Sequence, residues 1–124
     1  MLIIRNSESV FVEKQDGTSV NYYMLPEYEI HYNSVTPGCV QVWHRHDKIE
    51  EIIFILEGEI TAVWIDELGK KKESLLAAKD MVVTKKSFHT FENRSNKECK
   101  FIVIKLVLSG QNNQEVFKTD KLLS

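Results

Sequence analysis

The sequence predicts an all-β domain, on three observations. Short β-like runs follow one another along the whole chain, roughly nine or ten of them. Turn signals separate them at near-regular intervals, with no convincing helical period between. Several runs, notably "IIFIL" and "FIVIKLVL", are apolar at nearly every position. Strands that bury one face alternate apolar with polar, so these imply cover on both faces, by a second sheet or by a partner subunit. A sandwich or barrel satisfies all three observations, and the double-sided strands point to a homodimer.

The elements follow in order. "SVFVEK" ends at the turn Asp16-Gly17, and "VNYYML" ends at Pro26. "YEIHYNSV" alternates and stops at Pro37-Gly38, after which "CVQVWHRH" runs as the next strand. "EEIIFILEG" closes on Gly58, and "EITAVWID" leads into the loop "ELGKKKE", whose lysines read as a solvated hairpin tip. "SLLAA", "DMVVT", "HTFEN" and "KFIVIKLVL" complete the set. The final "SGQNNQEVFKTDKLLS" reads as a polar tail that docks late.

The chain has 124 residues, the size of one domain with one core, and no repeat or linker divides it. With 16 basic and 18 acidic residues its net charge is −2, which offers no electrostatic basis for nucleic acid or an anionic membrane as partner. No stretch approaches the ~18 to 20 apolar residues of a membrane span, and "MLIIRNSES" lacks the marks of a signal peptide, so a cytoplasmic location is expected. Cys39 and Cys99 lack metal or redox spacing and read as buried free thiols.

The chemistry concentrates in "GCVQVWHRHDKIEEIIFILEG", Gly38 to Gly58. His44 and His46 are two apart, so on a strand both imidazoles project to one face and can converge on one ion. Asp47-Lys48 turns the chain, and Glu50 or Glu51 returns with a carboxylate. Parity leaves that choice open. An inward Glu51 takes Ile53 and Ile55 with it, and an inward Glu50 takes Ile52, Phe54 and Leu56. His89, at the start of "HTFEN", is the candidate fourth group. If His44 faces inward, Val40 and Val42 share its face; if His89 does, Phe91 and Asn93 share its face. An apolar, aromatic mouth is expected, to which His31 and Tyr32 are candidate polar additions.

This stretch resembles the first motif of the cupin superfamily, G-x5-H-x-H-x(3,4)-E-x6-G. Gly38, His44, His46, Glu51 and Gly58 fit every fixed position, and the spacing to Gly58 selects Glu51 over Glu50. The segment 79–93 is similar to the second motif. It keeps His89 and Asn93 at H-x3-N spacing, but has Lys and Ser where Pro and Gly are usual, and one residue fewer before the histidine. The resemblance implies a single-domain antiparallel jelly-roll barrel (a double-stranded β-helix, RmlC-like). It also implies a divalent transition metal, Fe, Mn, Ni, Co or Zn, held by His44, His46, Glu51 and His89. A metal-dependent dioxygenase or isomerase acting on a small molecule follows, with a non-catalytic sugar- or acid-binding or sensing barrel as the alternative. No general base is identified, and Glu50 is expected to face away.

Overall fold

The computed structural model describes residues 1–124. Eleven strands run β1 (Val10–Glu13), β2 (Thr18–Met24), β3 (Tyr28–Val35), β4 (Arg45–His46), β5 (Glu50–Glu57), β6 (Glu59–Ile65), β7 (Lys71–Ala77), β8 (Met81–Val83), β9 (Phe88–Glu92), β10 (Cys99–Leu106) and β11 (Lys121–Leu122). A six-stranded sheet in the order β1-β2-β3-β10-β5-β8 faces a three-stranded sheet β7-β6-β9, and β4 and β11 form a short ribbon. Every pairing is antiparallel. The result is a jelly-roll barrel.

The core lies between the sheets. Val35, Ile53, Ile55, Phe101 and Val103 from the larger sheet meet Ile60, Ala62, Leu76 and Phe91 from the smaller one. Such side chains stabilise the fold by about 1.5–3 kcal/mol each when fully buried. Their alternation sets the parity of β5: Glu51, Ile53 and Ile55 point inward, while Glu50 is exposed. Gly58 ends β5 at φ +82°, and a Cβ there would stand 2.6 Å from the Glu98 carbonyl oxygen at the start of β10. Only glycine fits that close approach without displacing backbone.

Four expectations are corrected. "CVQVWHRH" is not a continuous strand: Val40 and His44 make only isolated bridges, to Glu92 and His89, and only Arg45–His46 pair further. Val40 and Val42 accordingly stay about half exposed instead of sharing an inner face with His44. The polar tail is also more than a tail. It forms a helix, α1 (Gln114–Thr119), whose Phe117 is buried, and then β11. Asn113, just before the helix, donates its side-chain amide to the carbonyl of Val107 and is itself buried, which pins the segment to the barrel.

The fourth correction concerns the turn before β9, which the altered second motif leaves Ser87-Phe88 to make. Glycine is absent, and Lys85 (φ 46°) and Lys86 (φ 62°) adopt the left-handed conformation in its place. The Ser87 N–H donates to the Thr84 carbonyl at 2.9 Å and closes the turn. The strained residues are thus the two lysines, not Ser87-Phe88.

Candidate metal centre

His44, His46, Glu51 and His89 come together at one end of the barrel. His44 and His89 form an isolated two-residue bridge, exchanging backbone hydrogen bonds of 3.0 and 2.9 Å, so the chain itself places their rings side by side. Their ring centroids are 4.7 Å apart, and that of His46 lies 5.1 Å from His44. Donor atoms of His44, Glu51 and His89 lie within 4.8 Å of one another. Glu51 presents one oxygen to each of the other two rings: Oε2 stands 3.2 Å from His46 Nε2, and Oε1 stands 3.3 Å from His89 Nε2.

The hydrogen bonds at the far side of each ring settle its tautomer. Nδ1 of His44 donates to the Val42 carbonyl at 2.8 Å, and Nδ1 of His89 to the Ser87 carbonyl at 2.8 Å. Nδ1 of His46 donates to the Asp120 carbonyl at 3.2 Å. A carbonyl only accepts, so Nδ1 carries the proton in each neutral ring and Nε2 is left with a lone pair. Nε2 of His46 and of His89 is buried with no hydrogen-bond partner. Both face a carboxylate, which is also an acceptor, and short separation between two acceptors is not a hydrogen bond.

A buried acceptor without a donor costs about 1–3 kcal/mol, and here two share one carboxylate. A divalent cation between them removes the conflict. Two donors held about 2.1 Å from one ion at a right angle stand about 3.0 Å apart, close to the observed spacings. Three imidazoles with Nδ1 anchored on carbonyls, plus one carboxylate, is the donor set and outer support that transition ions favour.

Burial disfavours the charged form of the Glu51 carboxyl, but protons or positive charge on the His46 and His89 side, together with the Lys105 ammonium 3.8 Å from Oε2, hold it well below the usual carboxylate range, so the carboxylate favours a cation or protons beside it. Burial lowers His44 to about 4, with His89 pushing the same way, so this ring is a neutral donor at physiological pH. Burial also raises both thiols, Cys99 to about 11, which leaves them protonated and outside the chemistry.

Two cavities flank the centre. The larger, about 850 Å³, runs beneath Trp64, Leu76 and Val82, and only His89 of the four residues reaches it. The smaller, about 350 Å³, is bordered by both His44 and Glu51. Its wall contradicts the apolar mouth expected from the sequence. Glu29, His31 and Asn33 point inward from β3, and Lys105 joins them from β10. His31 thus lines the pocket, while Tyr32 lies on the outer face beside Asn21 and Ile102. Asn93 is buried but structural: its amide donates to the carbonyls of Val35 and Lys97.

Asp120 was missed by sequence reasoning. Its Oδ2 accepts the backbone N–H groups of Asp47, Lys48 and Ile49 at 3.1, 2.6 and 2.8 Å. These residues connect His46 to the strand carrying Glu51, so the C-terminal segment clamps the loop between the two. A lone aspartate in a polar tail carries no local signal of that role. Lys105 had one: it is the only charge inside "FIVIKLVL", on the same inward parity as Phe101 and Val103.

Known proteins share this fold. The family model described as the cupin domain matches residues 32–105. No curated protein matches the sequence significantly. Among solved structures, a sugar phosphate isomerase from a cupin superfamily of Silicibacter pomeroyi DSS-3 superposes with a TM-score of 0.62 at 21% identity, over 73% of this chain and 60% of that one. Oxalate oxidase gives 0.66 at 17% identity, over 76% and 53%. A single-substitution variant of Bacillus subtilis oxalate decarboxylase gives 0.79 at 12% identity, over 98% and 32%. The chain therefore spans between about a third and three-fifths of the length of these neighbours, and at such identities the likeness speaks to fold alone. The match over residues 32–105, more than half of the chain, together with the barrel itself, makes this chain a member of the cupin domain family.

Proposed function

We propose that the protein is a metal-dependent enzyme acting on a small molecule, with His44, His46, Glu51 and His89 holding a divalent transition ion. One observation carries the reading: the buried Nε2 atoms of His46 and His89 have no donor and converge on a buried carboxylate. When bound, such an ion would supply Lewis-acid activation of a coordinated oxygen, as an isomerase needs, or, if redox-active, a site for O₂ beside the substrate, as an oxygenase needs. The chain's own part is to orient three rings through their Nδ1 atoms, keep His44 neutral, and open the site to a pocket of about 350 Å³. The solved neighbours are named for oxalate or a sugar phosphate, which is consistent with a reaction of that scale.

Elemental analysis of the purified protein tests the metal. About one equivalent of a transition ion is expected, and His46→Ala or Glu51→Gln should lose it. A variant that retains a full equivalent refutes the assignment. Oxygen-uptake and isomerisation screens on the loaded protein separate an enzyme from a non-catalytic binder. A cytoplasmic homodimer completes the proposal. Val10, Phe11 and Val12 of the edge strand β1 are 47%, 55% and 38% exposed, an apolar edge that a second copy would cover.

A further inference from the structure

The polar wall of the smaller cavity has a definite arrangement. Lys105 of β10 lies directly opposite Glu29 on β3 and Glu51 on β5, so one lysine stands between two inward carboxylates across three adjacent strands. Its side chain is only 16% exposed. One strand repeat deeper on β3, His31 Nε2 donates to Glu29 Oε1 at 2.8 Å, in a pair whose side chains are 9% and 8% exposed. Tyr22 packs edge-on against that ring at 4.5 Å and fixes its plane. With Nε2 as the donor, the other ring nitrogen keeps its lone pair. It has no protein partner and is not sealed off, since the fully buried partnerless atoms are confined to His46 and His89.

Charge decides what belongs there. Lys105 and three further lysines line the cavity against Asp16, Glu29 and Glu51, a surplus of one positive charge. An ion bound to Glu51 draws on the carboxylate that Lys105 otherwise faces and raises the surplus by two. A partly buried ammonium so released gains most from an anion within a few ångströms, where the dielectric is low.

We propose that this cavity binds a small monoanionic hydroxy acid, with Lys105 anchoring the carboxylate beside the ion and His31, held by Glu29, accepting a hydrogen bond from the hydroxyl. The volume, about 350 Å³, is at the lower end for small-molecule sites and suits an acid of a few carbons. The proposal rests on the metal reading above and names its ligand class. Glu29 and His31 are positioning and recognition groups on β3, two strands from Glu51 in the same sheet.

The test uses the full chain loaded with Co(II), with metal content measured first. Lactate, propionate and lactamide are titrated against the visible absorption of the bound Co(II). Lactate should bind at least tenfold more tightly than lactamide, which lacks the charge, and several-fold more tightly than propionate, which lacks the hydroxyl. Lys105→Met should keep its Co(II) and lose the preference for lactate over lactamide, while Lys105→Arg keeps it. His31→Phe, which preserves the ring packing on Tyr22, should bind lactate and propionate equally. Lactate binding to Lys105→Met within twofold of the parent, at full metal content, overturns the proposal while the metal site stands. If the parent takes up no Co(II), the metal reading fails instead. Calorimetry on the metal-free protein then decides the anchor alone, and equal lactate binding with and without Lys105 refutes it.

Discussion

Removing the carboxylate of Asp120 should loosen the metal centre from outside it. Oδ2 accepts three consecutive backbone N–H groups, from Asp47, Lys48 and Ile49, and the residue is 5% exposed. In Asp120→Ala the three donors fare differently. Asp47 and Lys48 are exposed, so water replaces the lost acceptor, at about 0.5–1.5 kcal/mol each. Ile49 is 2% exposed, and its N–H is left without a partner, at about 1–3 kcal/mol. The sum is about 2–6 kcal/mol, a large share of the ~5–15 kcal/mol that holds a domain of this kind together. Asp120→Asn keeps an acceptor oxygen and loses only the charge, so about 1–2 kcal/mol is expected.

Urea unfolding of the metal-free variants measures this directly. Metal affinity should fall as well, because the clamped loop joins His46 to the strand of Glu51. A decrease of about tenfold is expected for Asp120→Asn in a competition titration against a chromophoric chelator, toward the lower limit for changes just outside the ligands. The effect is bounded because the bond from His46 Nδ1 goes to the Asp120 backbone carbonyl, which no side-chain substitution removes. Unchanged affinity in both variants, with stability losses under about 0.5 kcal/mol, would refute the clamp.

The turn before β9 and the titration of His44 allow two further tests. Lys86→Gly should stabilise the protein by roughly 0.5 kcal/mol, about 2 °C in Tm, since relief of a left-handed non-glycine residue (about 1–2 kcal/mol) exceeds the entropy glycine adds to the unfolded chain; a lower Tm would show that the turn is not strained. For the metal-free protein, the His44 pKa drops from 6.5 unfolded to about 4 folded, chiefly by burial, and burial lowers His31 too. As pH falls below 6.5 the unfolded chain takes up the proton first. Stability is therefore complete above 6.5 and declines toward 4, by about 3 kcal/mol from His44 alone. His44→Asn should flatten that decline, and an identical pH profile in the variant would remove His44 as its cause.

The candidate ligand set was legible because it is local. His44, His46 and Glu51 lie within eight residues, and the parity that turns Glu51 inward is the parity that buries Ile53 and Ile55. His89 was legible by type and by its spacing to Asn93, although the turn that delivers it is built from two left-handed lysines and not from glycine. The clamp was not legible. It joins Asp120 to residues more than seventy positions earlier, and no short-range pattern records a contact made by closing the barrel.

The pocket wall was legible only through His31, and the rest was misread for a different reason. In "YEIHYNSV" the alternation is plain, and for a strand with one buried face the default places Ile30 and Tyr32 inside with Glu29, His31 and Asn33 in water. The structure inverts it: Glu29, His31, Asn33 and Val35 are buried, and Ile30 and Tyr32 lie on the outer face. Nothing in the strand alone can choose, because a one-residue change of facing exchanges the two sets completely. Its neighbour decides. Phe101 and Val103 of β10 are buried, and they pair with Asn33 and His31. Directly paired residues share a face, so the polar set of β3 is carried inside by the apolar set of β10. Burying a carboxylate, an imidazole and an amide costs free energy unless each finds a partner. Glu29 and His31 satisfy one another, Asn33 donates to a backbone carbonyl, and Lys105 stands opposite the carboxylate. The inverted strand thus carries its polar groups into the barrel, where they pair chiefly with one another and with the backbone instead of with bulk solvent.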